Sequence, residues 1–132
     1  MKTKLILIAI VLIAALPSCQ KDLATNWTGT YNGTVGISNT FSRVVVTKVN
    51  NTTIKMELQS GALGTYYTYA TVGNGKVTSN TVTINEDGSV YGYTGTYHFS
   101  GGGTLNGNTL TVTGQATQTG ATTLLYTFTG SK

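Results

Sequence analysis

Thr53-Ile54-Lys55-Met56-Glu57-Leu58 alternates polar and apolar side chains at every step. A period of two puts Ile54, Met56 and Leu58 on one face and Thr53, Lys55 and Glu57 on the other, the pattern of a strand with one buried face. Val82-Thr83-Ile84 and Leu110-Thr111-Val112 repeat it with threonine between, and no window sustains apolar residues at helical spacing. No proline follows Asn26, and Thr, Tyr, Gly and Asn dominate; the first two favour strands and the last two supply turns. Turn signals divide the chain into eight strands, at 28–37, 40–49, 52–59, 64–73, 80–85, 90–101, 108–118 and 121–130. The turn cores between them are Ser38-Asn39, Asn50-Asn51, 60–63, Thr78-Ser79, 86–89, Asn106-Gly107 and Thr119-Gly120. Short turns make consecutive strands antiparallel neighbours, which is a meander. The first and last strands of an even-numbered meander are antiparallel, so eight can close. Closure removes sheet edges, which a chain with 9% charged residues has few charges to guard. The expected fold is all-β, an eight-stranded antiparallel up-and-down barrel, with an open two-sheet sandwich as the alternative.

An internal repeat supports the strand boundaries. Residues 69–84 overlay 97–112, placing Gly73 and Gly75 on Gly101 and Gly103, and Asn80-Thr81-Val82-Thr83-Ile84 on Asn108-Thr109-Leu110-Thr111-Val112. Paired mid-strand glycines predict bulges that bend the ribbon towards closure. The competing reading is coincidence in a Thr/Gly-rich chain.

The N-terminus carries Lys2, Lys4, a 12-residue apolar run from Leu5 to Leu16, then Pro17, Ser18 and Cys19. A membrane-spanning helix needs about 20 apolar residues, so the run reads as a signal-peptide core. Leu16-Pro17-Ser18-Cys19 resembles a bacterial lipobox, in which a peptidase cuts before a cysteine whose sulfur has received a diacylglyceryl group. Cys19 is the only cysteine and can form no internal disulfide. A conventional signal peptide cut near Ala14 or Ala15, leaving Cys19 as a stray thiol, is the competing reading. The expected organisation is a lipoprotein signal peptide over 1–18, a lipidated cysteine and short tether over 19–26, and a barrel over 27–132. Gln20 stands where an aspartate would resemble an inner-membrane retention signal, which favours the outer membrane. Gln20-Lys21-Asp22 is similar to a shortened lysine-acid export signal for the cell surface, so both the surface and the periplasmic face stay open. The membrane is then the first partner, held through Cys19. Without Lys2 and Lys4 the formal charge of +4 falls to +2, and six dispersed cations are too few for a nucleic-acid interface.

Trp27-Thr28-Gly29-Thr30-Tyr31 resembles the first strand of calycins, the barrels that include lipocalins and avidins, and Tyr93-Thr94-Gly95-Thr96-Tyr97 is of the same style. Together with the lipobox, the mature chain is similar to a lipocalin-like lipoprotein of Gram-negative outer membranes. The resemblance implies a small apolar or amphipathic ligand in the lumen. Two departures limit it. Lipocalins commonly carry a C-terminal helix and a late arginine, whereas the only arginine here is Arg43; avidins line their biotin site with several tryptophans, and this chain has one. Biotin binding is not carried over.

Trp27, Tyr31, Tyr69 and Tyr97 are the candidate ligand-binding residues, although a tryptophan ahead of a first strand more often buries its ring to close a barrel end. Tyr66, Tyr67 and Tyr69 are assigned to one strand and Tyr91, Tyr93 and Tyr97 to another. Rim tyrosines among them offer rings to sugars or partner surfaces; plain strand propensity is the competing explanation. Arg43 depends on register. A two-residue Asn50-Asn51 loop pairs it with Leu58 and turns it into the lumen. A three-residue loop puts Val44, Val46 and Lys48 inside and leaves it in solvent, the expected outcome because unpaired charges are rarely buried.

Catalysis has little material. His98 is the only histidine, Glu86-Asp87-Gly88 reads as a solvated turn, and Glu57 with Glu86 or Asp87 is the only carboxyl pair for a glycosidase, which needs a separation of about 5–9 Å. No metal, cofactor or catalytic residue is expected. Two functions stay open: a barrel carrying a small ligand, or a packed barrel acting as a protein-interaction module, either accessory subunit or enzyme inhibitor. A lumen lined by small residues such as Ala70, Gly114 and Ala116 around more than roughly 300 Å³ favours the first. Continuous apolar filling favours the second.

Overall fold

The computed structural model describes residues 20–33, 42–62 and 64–132. The signal segment 1–18, Cys19, the Ser38-Asn39 turn and Leu63 lie outside the described residues. Eight strands follow one 3-10 turn (Thr25–Trp27): β1 (Gly29–Gly33), β2 (Arg43–Asn50), β3 (Thr53–Ala62), β4 (Thr65–Val77), β5 (Thr81–Gly88), β6 (Tyr97–Asn106), β7 (Thr109–Thr117) and β8 (Leu124–Ser131). Each pairs antiparallel with the next, and β1 meets β8 through Asn32↔Ser131 and Gly33↔Gly130. The meander closes as a barrel, not a sandwich.

Alternation sorts the two faces. On β8, Leu124, Tyr126 and Phe128 are buried while Leu125, Thr127 and Thr129 are exposed. Val82 and Ile84 on β5, and Leu110 and Val112 on β7, join Ile54, Met56 and Leu58 in one core. Apolar inside and hydroxyl-rich outside is the reverse of a membrane-spanning barrel.

Arg43 lies on the outer face, as expected, but by another route. The turn is Asn51-Thr52, closed by Asn50↔Thr53, and an extra residue in β2 between Lys48 and Asn50 shifts the register by one. Val44 then opposes Leu58 and Val46 opposes Met56, the facing a three-residue loop would give. The Arg43 Nε donates to Gln59 Oε1 at 2.7 Å, and its guanidinium stands 4.0 Å from the Tyr66 ring centre. Lys48 occupies the inward row opposite Ile54, but it sits at the barrel end and its ammonium reaches out to Asp22.

The glycine pairs part company. Opposite Gly73-Asn74 the β3/β4 register slips between Ile54↔Gly75 and Met56↔Val72, a true bulge, and a second slip falls at Tyr69. Across Gly101 and Gly103 the pairing of β6 runs without a shift on both sides. These glycines serve close approach instead: a Cβ on Gly101 would come within 2.8 Å of the Tyr126 hydroxyl.

Several boundaries move: β3 runs on to Ala62, taking in three of the four residues read as the 60–63 turn, and β4 runs to Val77 instead of residue 73. Strand β5 runs through Glu86-Asp87-Gly88, so these residues are not a solvated turn, and β6 begins at Tyr97 instead of residue 90. Gly92 and Gly95 take φ of 80° and 86°, a conformation glycine adopts freely and other residues rarely. They turn 89–96 into an eight-residue loop, which carries Tyr91 and Tyr93 off the strand assigned to them.

Candidate functional site

The barrel has two unlike ends. At one, the 3-10 turn carries Trp27 into the core, fully buried, with its indole N–H donating to the Thr78 carbonyl at 3.1 Å. The Tyr31 hydroxyl, equally buried, donates to the Trp27 carbonyl at 2.8 Å, and Lys132 Nζ lies 5.1 Å from the Tyr31 ring centre. The chain entering this closed end is docked: the Leu23 and Ala24 amides both donate to the Asn51 carbonyl, and Asn51 Nδ2 donates to the Gln20 carbonyl. The segment read as a tether is therefore packed on the barrel from Gln20 onward.

At the opposite end, four tyrosines gather from two places. Tyr67 and Tyr69 come from the start of β4, Tyr91 and Tyr93 from the loop after β5, and the Tyr91 amide donates to the Tyr69 carbonyl at 2.8 Å. The rings of Tyr67 and Tyr91 are 5.1 Å apart and tilted; Tyr93 stands edge-on to buried Tyr97 at 6.0 Å. Burial first, then the neighbouring Tyr93 and Tyr67, pushes the Tyr69 phenol above its ordinary range. The three outer rings remain open to solvent, with Tyr67 48%, Tyr91 67% and Tyr93 47% exposed. Such rings combine apolar area with a hydroxyl and have few torsions to freeze on binding.

Between the ends the interior is occupied. Tyr126 on β8 lies across Gly114 on β7 and sends its hydroxyl to the Ser100 carbonyl on β6 at 3.0 Å. A Cβ on Gly114 would overlap the Tyr126 ring and that carbonyl. Phe128 covers Gly33 and Gly130 at the β1/β8 seam in the same way. Gly114 is small because an aromatic ring fills the space above it. Ala70 and Ala116 are buried in the same cluster. Clefts of about 570 and 530 Å³ lie at the two ends and open to solvent; the first is lined by residues such as Asn26, Ser79 and Asn108, the second by Asp87, His98 and Gln118.

Comparison with protein-family models, with curated proteins and with solved structures returns no match.

The structure splits the four sequence-nominated ligand residues between the ends: Trp27 and Tyr31 in the closed end, Tyr69 and Tyr97 in the other. The nominated carboxyl pairs do not converge on a cleft. Glu57 faces outward on β3, 2.9 Å from Lys55, whereas Glu86 points inward on β5. Asp87 instead meets His98 Nδ1 at 2.8 Å on the exposed outer wall. Among the described residues no group of three or more His, Cys, Asp or Glu could hold a metal ion.

Glu86 is the residue that sequence reasoning missed. Its carboxylate accepts the amides of Gly73 at 2.5 Å and Asn74 at 2.8 Å, the two donors that the β4 bulge leaves without a ladder partner. Strands β4 and β5 pair directly only through Lys76↔Thr83 and Val77↔Val82, with an isolated bridge at Ala70↔Val90. Glu86 closes the seam between. Its place on the inward row with Val82 and Ile84 was the available signal, hidden by the turn-like composition of Glu86-Asp87-Gly88.

Proposed function

We propose that this chain is an outer-membrane lipoprotein, acylated on Cys19, whose packed barrel is a non-catalytic interaction module. It meets its partner through Tyr67, Tyr69, Tyr91 and Tyr93. The observation that carries this reading is the gathering of three exposed rings over Tyr69 and Tyr97 at the end opposite the N-terminal segment. An anchor at Cys19, one residue before docked Gln20, holds the closed end to the membrane and presents the tyrosines outward. Ligand carriage in a lipocalin-like lumen needs enclosed space; the inward positions here are taken by Tyr126, Phe128 and Phe99, which favours the packed module. Exposed aromatic residues clustered in one place are the usual anchors of interfaces, each worth more than about 1–2 kcal/mol when central.

The test is cross-linking and affinity capture on envelopes of the native host, comparing wild type with Tyr67→Ser/Tyr91→Ser/Tyr93→Ser. A discrete partner captured by wild type and lost by the triple variant, with thermal stability kept, is the expected result. Capture unchanged by the triple variant refutes the site. A small molecule retained in native mass spectrometry by both proteins refutes the packed module. Cys19→Ala is expected to leave the membrane fraction, and its persistence there removes the anchor.

A further inference from the structure

The cations that look dispersed along the sequence converge in the fold. Lys21 precedes the 3-10 turn, Lys48 lies near the end of β2, Lys76 near the end of β4 and Lys132 follows β8, so all four surround the closed end. Lys132 Nζ donates to the carbonyls of Asn26 and Thr28, both at 2.8 Å, and Lys76 Nζ donates to Thr53 Oγ1 at 3.0 Å. These bonds fix the ammonium groups to the rim and add no negative side chain. The single acidic side chain among them, Asp22, is engaged by Lys48, and in a chain of residues 20–132 the α-carboxylate of Lys132 is matched at the same end by the α-amine of Gln20. Among the described side chains the closed end therefore holds four cations against one anion. Halfway up the wall Lys55 and Glu57 neutralise each other. The tyrosine end holds Arg43 against Asp87, while the Glu86 carboxylate turns inward to the β4 bulge opposite Lys55, also halfway along the barrel. The barrel is electrically polar along its axis, and Gln20, the first described residue, is bonded to Asn51 at the positive end.

We propose that the closed end is a docking face for anionic lipid headgroups, seated on the surface by Lys21, Lys76 and Lys132. Charge complementarity selects this occupant. So does the place of Gln20, the first described residue, which is bonded to Asn51 on the face that carries the lysines. The orientation rests on the acylation of Cys19 proposed above; the charge polarity does not. A basic residue beside an anionic leaflet strengthens partitioning about fivefold, so three uncompensated lysines supply roughly a hundredfold at low salt. That gives reversible partitioning of the unacylated chain, measurable at low salt and high lipid concentration, and is enough to stop an anchored chain from tumbling, as when one lipid signal is joined by a basic patch. The tyrosine end then points away from the membrane.

Residues 20–132 contain every described strand and every described core residue, so this unacylated chain is the protein to test, with its β-sheet signal checked by circular dichroism. It is co-sedimented with vesicles of pure phosphatidylcholine and of phosphatidylcholine containing one third phosphatidylglycerol. Binding to the anionic vesicles alone, abolished by raised salt, is expected. Lys21→Gln and Lys76→Gln each lower the partition coefficient about fivefold, while Arg43→Gln and the triple tyrosine variant leave it unchanged. Equal binding to neutral vesicles, no binding to either, or an equal loss from Arg43→Gln overturns the proposal. Equally strong, salt-sensitive binding to duplex DNA overturns it too, since the face would then be an unspecific polyanion site. Failure of the Cys19→Ala fractionation removes the anchor without touching this result, so the two readings fail separately.

Discussion

Replacing Glu86 by alanine removes the side chain that stands in for the missing β4/β5 ladder. Its two oxygens accept from Gly73 at 2.5 Å and Asn74 at 2.8 Å, and a hydrogen bond to an ionised partner contributes about 1.5–3 kcal/mol. The Gly73 amide is half-buried and loses its partner outright. The Asn74 amide is exposed, so water recovers part of its loss. Together the cost comes to about 2–4 kcal/mol, a large share of the ~5–15 kcal/mol that holds a domain together. In thermal unfolding the same loss is a fall of roughly 10–20 °C. Glu86→Gln is no rescue, because one carboxamide arm is a donor and meets an N–H; it is expected to lose about 1.5–3 kcal/mol. The assay is urea unfolding of wild type and both variants, with hydrogen exchange at Gly73 and Asn74 to show that the opening is local to the bulge. A Glu86→Ala variant within about 0.5 kcal/mol of wild type, the range of a surface substitution, would refute the reasoning and return Glu86 to the status of a solvated acid.

Three further outcomes are expected. Gly114→Ala drives a methyl into the Tyr126 ring and the Ser100 carbonyl; a loss of about 1–3 kcal/mol in chemical denaturation is expected, and an unchanged midpoint would mean the interior has spare room. The Tyr126 hydroxyl is pushed up to about 12, chiefly by burial and then by Glu86. An unfolded phenol releases its proton near 10, so the unfolded chain binds fewer protons above that pH, and stability falls between about pH 10 and 12 by of order 1–2 kcal/mol. Tyr126→Phe flattens that alkaline limb of a stability profile followed by tyrosinate absorbance. The Lys48 and Thr25 hydrogen bonds hold Asp22 down to about 2 against an ordinary 3.8, so its contribution is complete above pH 4 and is lost as the pH falls towards 2. Protection of the Leu23 and Ala24 amides, taken relative to intrinsic exchange at each pH, is expected to fall over that acid window in wild type and to be low at every pH in Asp22→Asn.

The local parts of the fold were legible. Alternation at Ile54, Met56 and Leu58, at Val82 and Ile84, and at Leu110 and Val112 depends only on the two-residue period of a strand, and all seven lie in the core. The eight strands and their antiparallel order follow from those runs and the short turns between them. The eight-residue loop at 89–96 was readable as well, had the glycines at 92 and 95 been weighed above the strand propensity of the tyrosines around them.

What the tertiary structure alone decided involves residues far apart in sequence. Whether Arg43 faces in or out turned on one extra residue in β2, and a single insertion reverses every side chain beyond it. Whether the small residues open a lumen turned on Tyr126, which reaches across β7 to β6. The partner of the Gly73 bulge is thirteen residues away on the next strand. The four closed-end lysines, scattered from 21 to 132, share one rim because each stands where the chain enters, turns or leaves at the same end of the barrel. A period of two tells each strand which side is wet; only closure of the sheet tells it which distant side chains share that side.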